Sequence, residues 1–413
     1  MVRNFFTFVV GSIRLVAKGS RTYYVWVGAL VLLIVQGLLA YASQARFGLI
    51  VTNMRDPVSW GFYIANFTFL VGVAAAAVML VIPAYVYRWG PIREIVVFGE
   101  LLAVASIVMC LIFVIVDLGH PERFWHLIPF LGCMNFPSSL LAWDSMVLTV
   151  YLLVNVAVVT NILFSAFMRR DYNHGLVIPL VLFSIPAAVG IHTVTAFLYN
   201  GMVSRPYWNA AILAPRFLAS AFCSGPAILL ILMQVLRATT SFKIKDEAIH
   251  KIAELMAYAM FINLFLFGAE IFKEYYSDTE HLVYTQYLFS GLHGHPSPIA
   301  PYGWAAVILG IGAFLLFLIP ATRKNPVTMN IGCVMIYASV YIEKGTALII
   351  PGFTPDTLGE IYAYVPSTVE LRVTAGVFAV GFLLFTCMVK VAIALLFEDF
   401  TVDDVRAKTN PAA

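Results

Sequence analysis

Apolar positions along this chain neither alternate with polar ones, as in a half-buried strand, nor trace the narrow stripe of a surface helix; they merge into long runs. Ten runs stand out, near 23–43, 58–87, 95–117, 139–167, 175–198, 208–237, 247–275, 301–320, 326–351 and 370–397. Each approaches or exceeds the roughly 20 apolar residues that a helix needs to cross a bilayer. They are too long for barrel strands, and lipid offers no water to an open backbone, so helix is the only reading. The sequence predicts an all-α membrane protein with ten transmembrane helices. Arg14, Lys18 and Arg21 precede the first run and no small-residue cleavage site follows it, which marks a retained helix rather than a signal peptide.

Composition narrows the class further. Of 413 residues 61% are hydrophobic and only 11% charged, with a mean hydropathy of +0.89. Soluble proteins carry about 25% charged residues, so a disordered chain, a secreted disulfide scaffold and an ordinary cytosolic enzyme are excluded. A net charge of +3 without a dense basic run excludes a nucleic-acid partner. Cys110, Cys133, Cys223, Cys333 and Cys387 stand singly, with no C-x-x-C, haem-attachment or iron–sulfur spacing. Four of them lie in apolar segments and read as small core residues.

Lys and Arg orient the helices. Arg3, Arg14, Lys18, Arg21, Arg88, Arg93, Arg169, Arg170, Arg237, Lys243, Lys245, Lys251, Arg323, Lys324, Arg406 and Lys408 fall at the N-terminus, in the even-numbered connections and in the C-terminal tail. Only Arg46, Arg55, Arg123, Arg205, Lys273 and Arg372 lie opposite. This bias places both termini in the cytoplasm. The outer connections, 117–138, 199–207, 274–300 and 352–369, are longer and rich in Pro, Trp, Tyr, His and acids. Elaborate loops gathered on one face mark where a partner or substrate sits.

Spans two to five are echoed by spans six to nine. Trp60-x3-Ile64-x4-Phe69-Leu70 recurs as Trp208-x3-Ile212-x4-Phe217-Leu218, and Glu100-Leu101-x-Ala103 as Glu254-Leu255-x-Ala257. Trp143 with Leu148 matches Trp304 with Leu309, and His192-x2-Thr195-Ala196 matches Glu343-x2-Thr346-Ala347. The offsets are 148, 154, 161 and 151, in order along the chain. An even number of helices separates the copies, so the repeats run parallel about an axis along the membrane normal. The expected architecture is two four-helix bundles, 58–200 and 201–351, flanked by span one with its N-terminal segment (1–57) and by the outer loop, last helix and tail (352–413).

Ionisable residues inside spans are costly and are functional candidates by default. Asp117, Asp144, His192, Arg216, Glu270, Lys273, Glu343 and Lys344 fall in the outer third, whereas Glu100 and Glu254 lie near the inner surface. Asp144, Tyr151 and Asn155 share one face of span four; His192, Thr195 and Tyr199 share one face of span five, with Ser184 deeper; Ser106, Cys110 and Asp117 line span three. Each stripe runs inward from the outer cluster. Glu343 with Lys344, and Glu270 with Lys273, also read as structural ion pairs, and Arg216 as a snorkelling or loop-capping residue.

A membrane b-type haem takes two axial ligands, usually His on facing helices. His192 is the one histidine well inside a span; His120, His126, His174, His250, His281, His293 and His295 lie in loops or at helix ends, which argues against haem. His293-x-His295 lacks a neighbouring acid or thiol to complete a metal site. No phosphate-binding loop, dinucleotide fingerprint or nucleophile elbow occurs. Two classes remain in front: a quinone-reactive subunit fed electrons by a partner, and a secondary transporter, which also uses repeats and buried charge. Transporter sites lie near the midplane, while this cluster is shifted outward beneath long loops, so the quinone reading is favoured. A structural anchor is the third option.

At 117–125, Asp-Leu-Gly-His-Pro-Glu-Arg-Phe-Trp resembles the hallmark after the third span of the NrfD/PsrC-like family, the membrane subunits of polysulfide-reductase-type complexes. Ile-His-Thr-Val-Thr-Ala-Phe at 191–197, Ala-Pro-Arg-Phe-Leu-Ala-Ser at 214–220 and Pro-Gly-Phe-Thr-Pro-Asp-Thr-Leu-Gly-Glu at 351–360 extend the resemblance across the spans. The ten-span length is similar to the long branch, which includes membrane subunits of the menaquinone reductase (Qrc) complex, of the Dsr complex of sulfate reducers and of alternative complex III. The Qrc subunit is the best fit and the Dsr subunit the runner-up.

The resemblance implies a subunit without a redox cofactor of its own, in a bacterial inner membrane, that reduces menaquinone near the outer face. Electrons would come from a docked periplasmic iron–sulfur subunit, in a complex with a molybdopterin-type subunit and a multihaem cytochrome c. A Dsr-type setting implies menaquinol oxidation instead. The implied catalytic residues are Asp117, His120, Asp144 and His192. The candidate quinone contacts are His120, Arg123, Trp143, Asp144, His192 and Tyr199, with Arg123 better suited to holding the loop or docking the partner. Glu100, Tyr151, Asn155, Glu270 and Glu343 are the candidate proton route. Protons drawn from inside along it would make turnover electrogenic.

Overall fold

The computed structural model describes residues 2–93, 95–128, 131–132, 135–240, 244–356, 358–398, 400–402 and 404–405. Cys133, Lys243, Arg406 and Lys408, counted among the cysteines and charges, lie outside the described residues. Ten helices are long and apolar enough to cross a membrane: Arg21–Phe47, Phe62–Val86, Val96–Asp117, Leu140–Phe167, His174–Asn200, Leu213–Thr239, Asp246–Ser277, Ala300–Leu318, Pro326–Phe353 and Thr368–Leu396. These are spans one to ten. The clearest boundary shifts are at the starts of spans two and six, where Trp60 and Trp208 belong to the preceding connections; Trp208 closes a short turn opened by Pro206.

Capping chemistry sets several starts. Ser20, Ser139 and Asn325 accept backbone N–H groups of spans one, four and nine. Ser367 and Glu370 form a reciprocal capping box on span ten. Two further helices of more than two turns escape a reading based on apolar runs, Val2–Ala17 and His281–Phe289. The first mixes charged and apolar positions, so it forms no run.

Spans two to five close into one four-helix bundle and spans six to nine into a second. Span two packs on span nine, and span six on span five, the exchange that parallel repeats about a normal axis require. Every residue from Tyr63 to Ala74 in span two is buried, which explains why this helix is apolar all round. Trp60 and Trp208, matched by the repeat, meet at the junction with ring centroids 6.0 Å apart. Trp143 and Trp304, also matched, repeat one device: each indole N–H donates to a carbonyl of the preceding connection, Pro137 at 2.8 Å and Phe289 at 2.9 Å.

Spans one and ten both lie on the first bundle, span one along span ten and span ten against span three, rather than one on each bundle. Their backbones touch, because a Cβ on Gly37 would stand 2.7 Å from Gly376 Cα. Gly37→Leu is expected to force the pair apart at a cost of about 1–3 kcal/mol. A lower thermal midpoint in detergent checks this; an unchanged midpoint would refute the close contact. The face that holds 48–61, 118–139, 201–212, 278–299 and 354–367 is the loop face, and the opposite, Arg- and Lys-rich one is the basic face.

Candidate functional site

Span four starts at its Ser139 cap, which places Asp144 just over one turn below the loop face. Asp144 is 1% exposed, and its carboxylate accepts a hydrogen bond from Thr195 Oγ1 of span five at 2.6 Å. His192, one turn from Thr195, is fully buried. Its Nδ1 lies 2.9 Å from the Ala188 carbonyl. A carbonyl only accepts, so Nδ1 carries the proton and Nε2 presents a lone pair in the neutral ring. Nε2 is buried and has no hydrogen-bond partner among the described residues. Such an orphan costs about 1–3 kcal/mol and suits a ligand hydroxyl.

Tyr199, two turns beyond His192, hydrogen-bonds Thr68 of span two. Its ring lies among Trp60, Trp208 and Phe217 at centroid distances of 5.7, 5.3 and 6.0 Å. Thr68, Asp144, His192, Thr195 and Tyr199 therefore form one polar seam with aromatic walls. Thr68 alone was not singled out from the sequence, because a threonine in an apolar run carries no signal.

The other predicted residues are placed differently. Asp117 ends span three with Oδ1 buried and, among the described residues, unpartnered. His120 and Arg123 are exposed beside and on the turn Pro121–Leu127, and His120 pairs with Glu122 at 3.0 Å. Hydrogen bonds from its own backbone amide and from His120 hold the Glu122 carboxyl below the usual carboxylate range. No hydrogen bond or ion pair among the described residues joins His120 or Arg123 to Asp144 or His192. Toward the basic face, Tyr151 OH donates to the Ala74 carbonyl at 3.4 Å and Asn155 Nδ2 to the Tyr151 carbonyl at 2.8 Å. Glu100 is buried 3.5 Å from Tyr85 OH, with Oε2 unpartnered among the described residues. Hydrogen bonds among the described residues do not connect Glu100 to Asn155.

Glu270 and Glu343 come together in the second bundle, on Arg216 rather than on the lysines beside them in sequence. Arg216 pairs with Glu270, and with Glu343 at 2.8 Å, while Asn263 donates to the other Glu343 oxygen at 3.0 Å. Arg216 thus bridges two carboxylates and does not snorkel. Lys273 pairs with Glu274 at 3.3 Å. Lys344 is buried, donates to the Phe217 carbonyl at 2.8 Å and lies 4.4 Å over that ring. Glu343 and Lys344 are consecutive on a helix, in the π-turn Ile342–Thr346, and consecutive side chains do not share a face, so they meet separate partners. Gly72 leaves the room, since a Cβ there would stand 3.2 Å from Lys344 Nζ.

A small cleft, with room for about one water, opens among Leu213, Arg216, Phe217, Ser220, Glu343, Lys344 and Leu348. Above it Tyr207 donates to the Ala347 carbonyl at 3.1 Å, and burial pushes its phenol up to about 12. Phe217 touches both Tyr199 and Lys344, so the two polar clusters adjoin at the bundle junction. Among the described residues no three His, Cys, Asp or Glu side chains group as metal ligands.

Residues 50–356, a stretch that takes in both bundles, match the family described as Polysulphide reductase, NrfD. The chain belongs to the NrfD family. A protein described as a dimethyl sulfoxide reductase membrane subunit in Halobacterium salinarum is 25% identical, over 87% of this chain and 88% of its own length. A selenate reductase subunit of Mesobacillus selenatarsenatis is 23% identical, over 86% and 90%. The Hdr-like menaquinol oxidoreductase integral membrane subunit of Archaeoglobus fulgidus is 22% identical, over 90% and 93%.

Every residue of the polar seam and of the Arg216 cluster falls inside the NrfD stretch, whereas span ten and the helix Val2–Ala17 fall outside it. Two buried carboxylates, Glu274 and Glu370, were not singled out from the sequence. Glu370 accepts N–H groups of Asn53 and Ser367, each at 2.9 Å, and the Tyr364 hydroxyl. It latches the 354–367 loop and span ten to the 48–61 connection of the NrfD unit. Its signal was the Ser367-x-x-Glu370 capping box.

Proposed function

We propose that the chain is the quinone-reactive membrane subunit of a respiratory oxidoreductase complex. The observation that carries this reading is the orphaned His192 Nε2, buried in the same polar seam as the Asp144–Thr195 pair. A quinone head group needs flat aromatic walls and a buried group that exchanges a proton with its oxygen, and Tyr199, Trp60, Trp208 and His192 fit that need. Bound there, a quinone supplies the two-electron, two-proton couple. His192 holds or releases a proton at Nε2, and Asp144, fixed by Thr195, takes up or resupplies it. Asp117 belongs to the same reading, at the outer end of span three.

The excess of Lys and Arg on one face supports a cytoplasmic basic face and a periplasmic loop face in a bacterial inner membrane. The exposed turn with His120, Glu122 and Arg123 is then the docking side for an iron–sulfur subunit. The reaction we infer is menaquinone reduction in a Qrc-like complex that also holds a molybdopterin-type subunit and a multihaem cytochrome c. Relatives named for dimethyl sulfoxide, selenate and menaquinol chemistry support an oxidoreductase setting. The alternative is the reverse, Dsr-type direction, menaquinol oxidation. The same Nε2 serves either direction, accepting a proton from a quinol hydroxyl or, once protonated, returning one to a quinone oxygen.

Asn155, Tyr151 and Glu100 are the inward proton route of this reading. The ion pairs of Glu270 and Glu343 with Arg216 support a scaffold role for the second bundle. To test the reading, the full chain in nanodiscs is titrated with a menaquinone analogue while tryptophan emission is followed. Saturable quenching that disappears in His192→Phe is expected. Quenching that only tracks partition into lipid, and is equal in the variant, would refute it. Solute uptake by the chain alone would favour the transporter reading instead.

A further inference from the structure

The helix Val2–Ala17 plays no part in the quinone site, yet it is built as strictly as any span. Three faces run along it. Phe8 packs edge-on against Phe164 and Phe167 at the end of span four, and a Cβ on Gly11 would stand 3.0 Å from Val405, so this face meets the protein. Phe5, Phe6, Val9 and Ile13 form a second face that remains 44, 69, 37 and 63% exposed. Arg3, Thr7 and Arg14, at i, i+4 and i+11, form a third, polar stripe.

The depth of the helix is pinned. Tyr23 and Tyr24 at the start of span one donate to the Val16 and Ala17 carbonyls at 2.8 and 2.9 Å. Lys390 of span ten donates to the Lys18 carbonyl and lies 3.6 Å from the Tyr23 ring centroid, and Trp26 donates to Thr386 at 3.1 Å. Tyr, Trp and Lys at the ends of spans mark the headgroup level of a bilayer. One end of the helix is tied to that level, and the other passes beneath the end of span four. Its exposed apolar face therefore enters the boundary between headgroups and acyl chains, as interfacial helices do. The arginine stripe borders that face, and Arg170 adds a third guanidinium over Phe164, a ring on which Phe5 and Phe8 also pack.

We propose that Val2–Ala17 is a binding element for anionic phospholipid on the basic face, with Arg3, Arg14 and Arg170 contacting headgroup phosphate. Planar guanidinium groups match phosphate oxygens in pairs. The test places the full chain in nanodiscs of phosphatidylcholine with or without phosphatidylglycerol and follows amide hydrogen exchange over residues 2–17. Exchange is expected to slow in phosphatidylglycerol by roughly fivefold for each arginine engaged. Arg3→Gln with Arg14→Gln should abolish most of that gain while the spans keep their protection. Equal exchange in the two lipids would overturn the proposal and point to a protein covering the helix. Inorganic phosphate that protects phosphatidylcholine discs equally well would overturn the lipid assignment in favour of the free ion. Phe6→Ser with Ile13→Ser should speed exchange in both lipids, and no change would overturn the interfacial depth.

Discussion

Asp144→Asn is expected to lower quinone-linked electron transfer by about 10²–10⁴-fold while the complex assembles normally. The substitution keeps the shape of the side chain and an oxygen to accept the Thr195 hydroxyl, so the tie between spans four and five survives. It removes the capacity to carry a proton. The complex in proteoliposomes, with turnover and membrane potential read together, separates the outcomes. Loss of both places Asp144 in the proton exchange. Full quinone activity in an assembled Asp144→Asn complex would remove it from the mechanism. Turnover of the parent complex without charge movement would remove the inward route through Asn155, Tyr151 and Glu100.

Arg216→Leu is expected to be the most destabilising single change in the second bundle. Arg216, Glu270 and Glu343 are 11, 14 and 10% exposed at their side chains, so removing the cation leaves two carboxylates facing each other away from water. Breaking a buried pair in this way costs about 3–5 kcal/mol, whereas neutralising every member together costs far less. The single variant should lose most of its monodisperse yield in detergent and show a much lower thermal midpoint. Adding Glu270→Gln and Glu343→Gln should restore both. A single variant as stable as the parent would show that the cluster holds nothing together. Quinone activity that stays low in the stable triple variant would return the two carboxylates to the proton route.

The span count and the fold class were legible because bilayer thickness converts apolar run length directly into helices. Asp144 and His192 were legible because a buried charge in an apolar helix is rare. Partner choice was not. Arg216 lies 127 residues from Glu343, and nothing in the spacing shows that Glu343 meets Arg216 while Lys344 meets the Phe217 carbonyl. The helix Val2–Ala17 was missed for the opposite reason. Its three faces average to an ordinary hydropathy, and only its fixed position on the bundle shows that one apolar face is covered and another bare. His120, prominent in the 117–125 motif, is an exposed partner of Glu122, which no motif spacing distinguishes from a buried ligand.

The contact between Trp60 and Trp208 has a consequence for how the two halves diverge. These tryptophans are each other's counterparts, so a substitution in either copy is felt by both, and the axis resists drift. Away from it the copies are free of each other. At the offset that matches Trp143 to Trp304, Asp144, Tyr151 and Asn155 correspond to Ala305, Gly312 and Leu316. At the offset that matches Trp60 to Trp208, Thr68 corresponds to Arg216. One repeated frame thus carries a polar stripe in one half and a charge-neutralised clamp in the other. The two halves share the tryptophan contact at their junction and differ in the chemistry they carry around it.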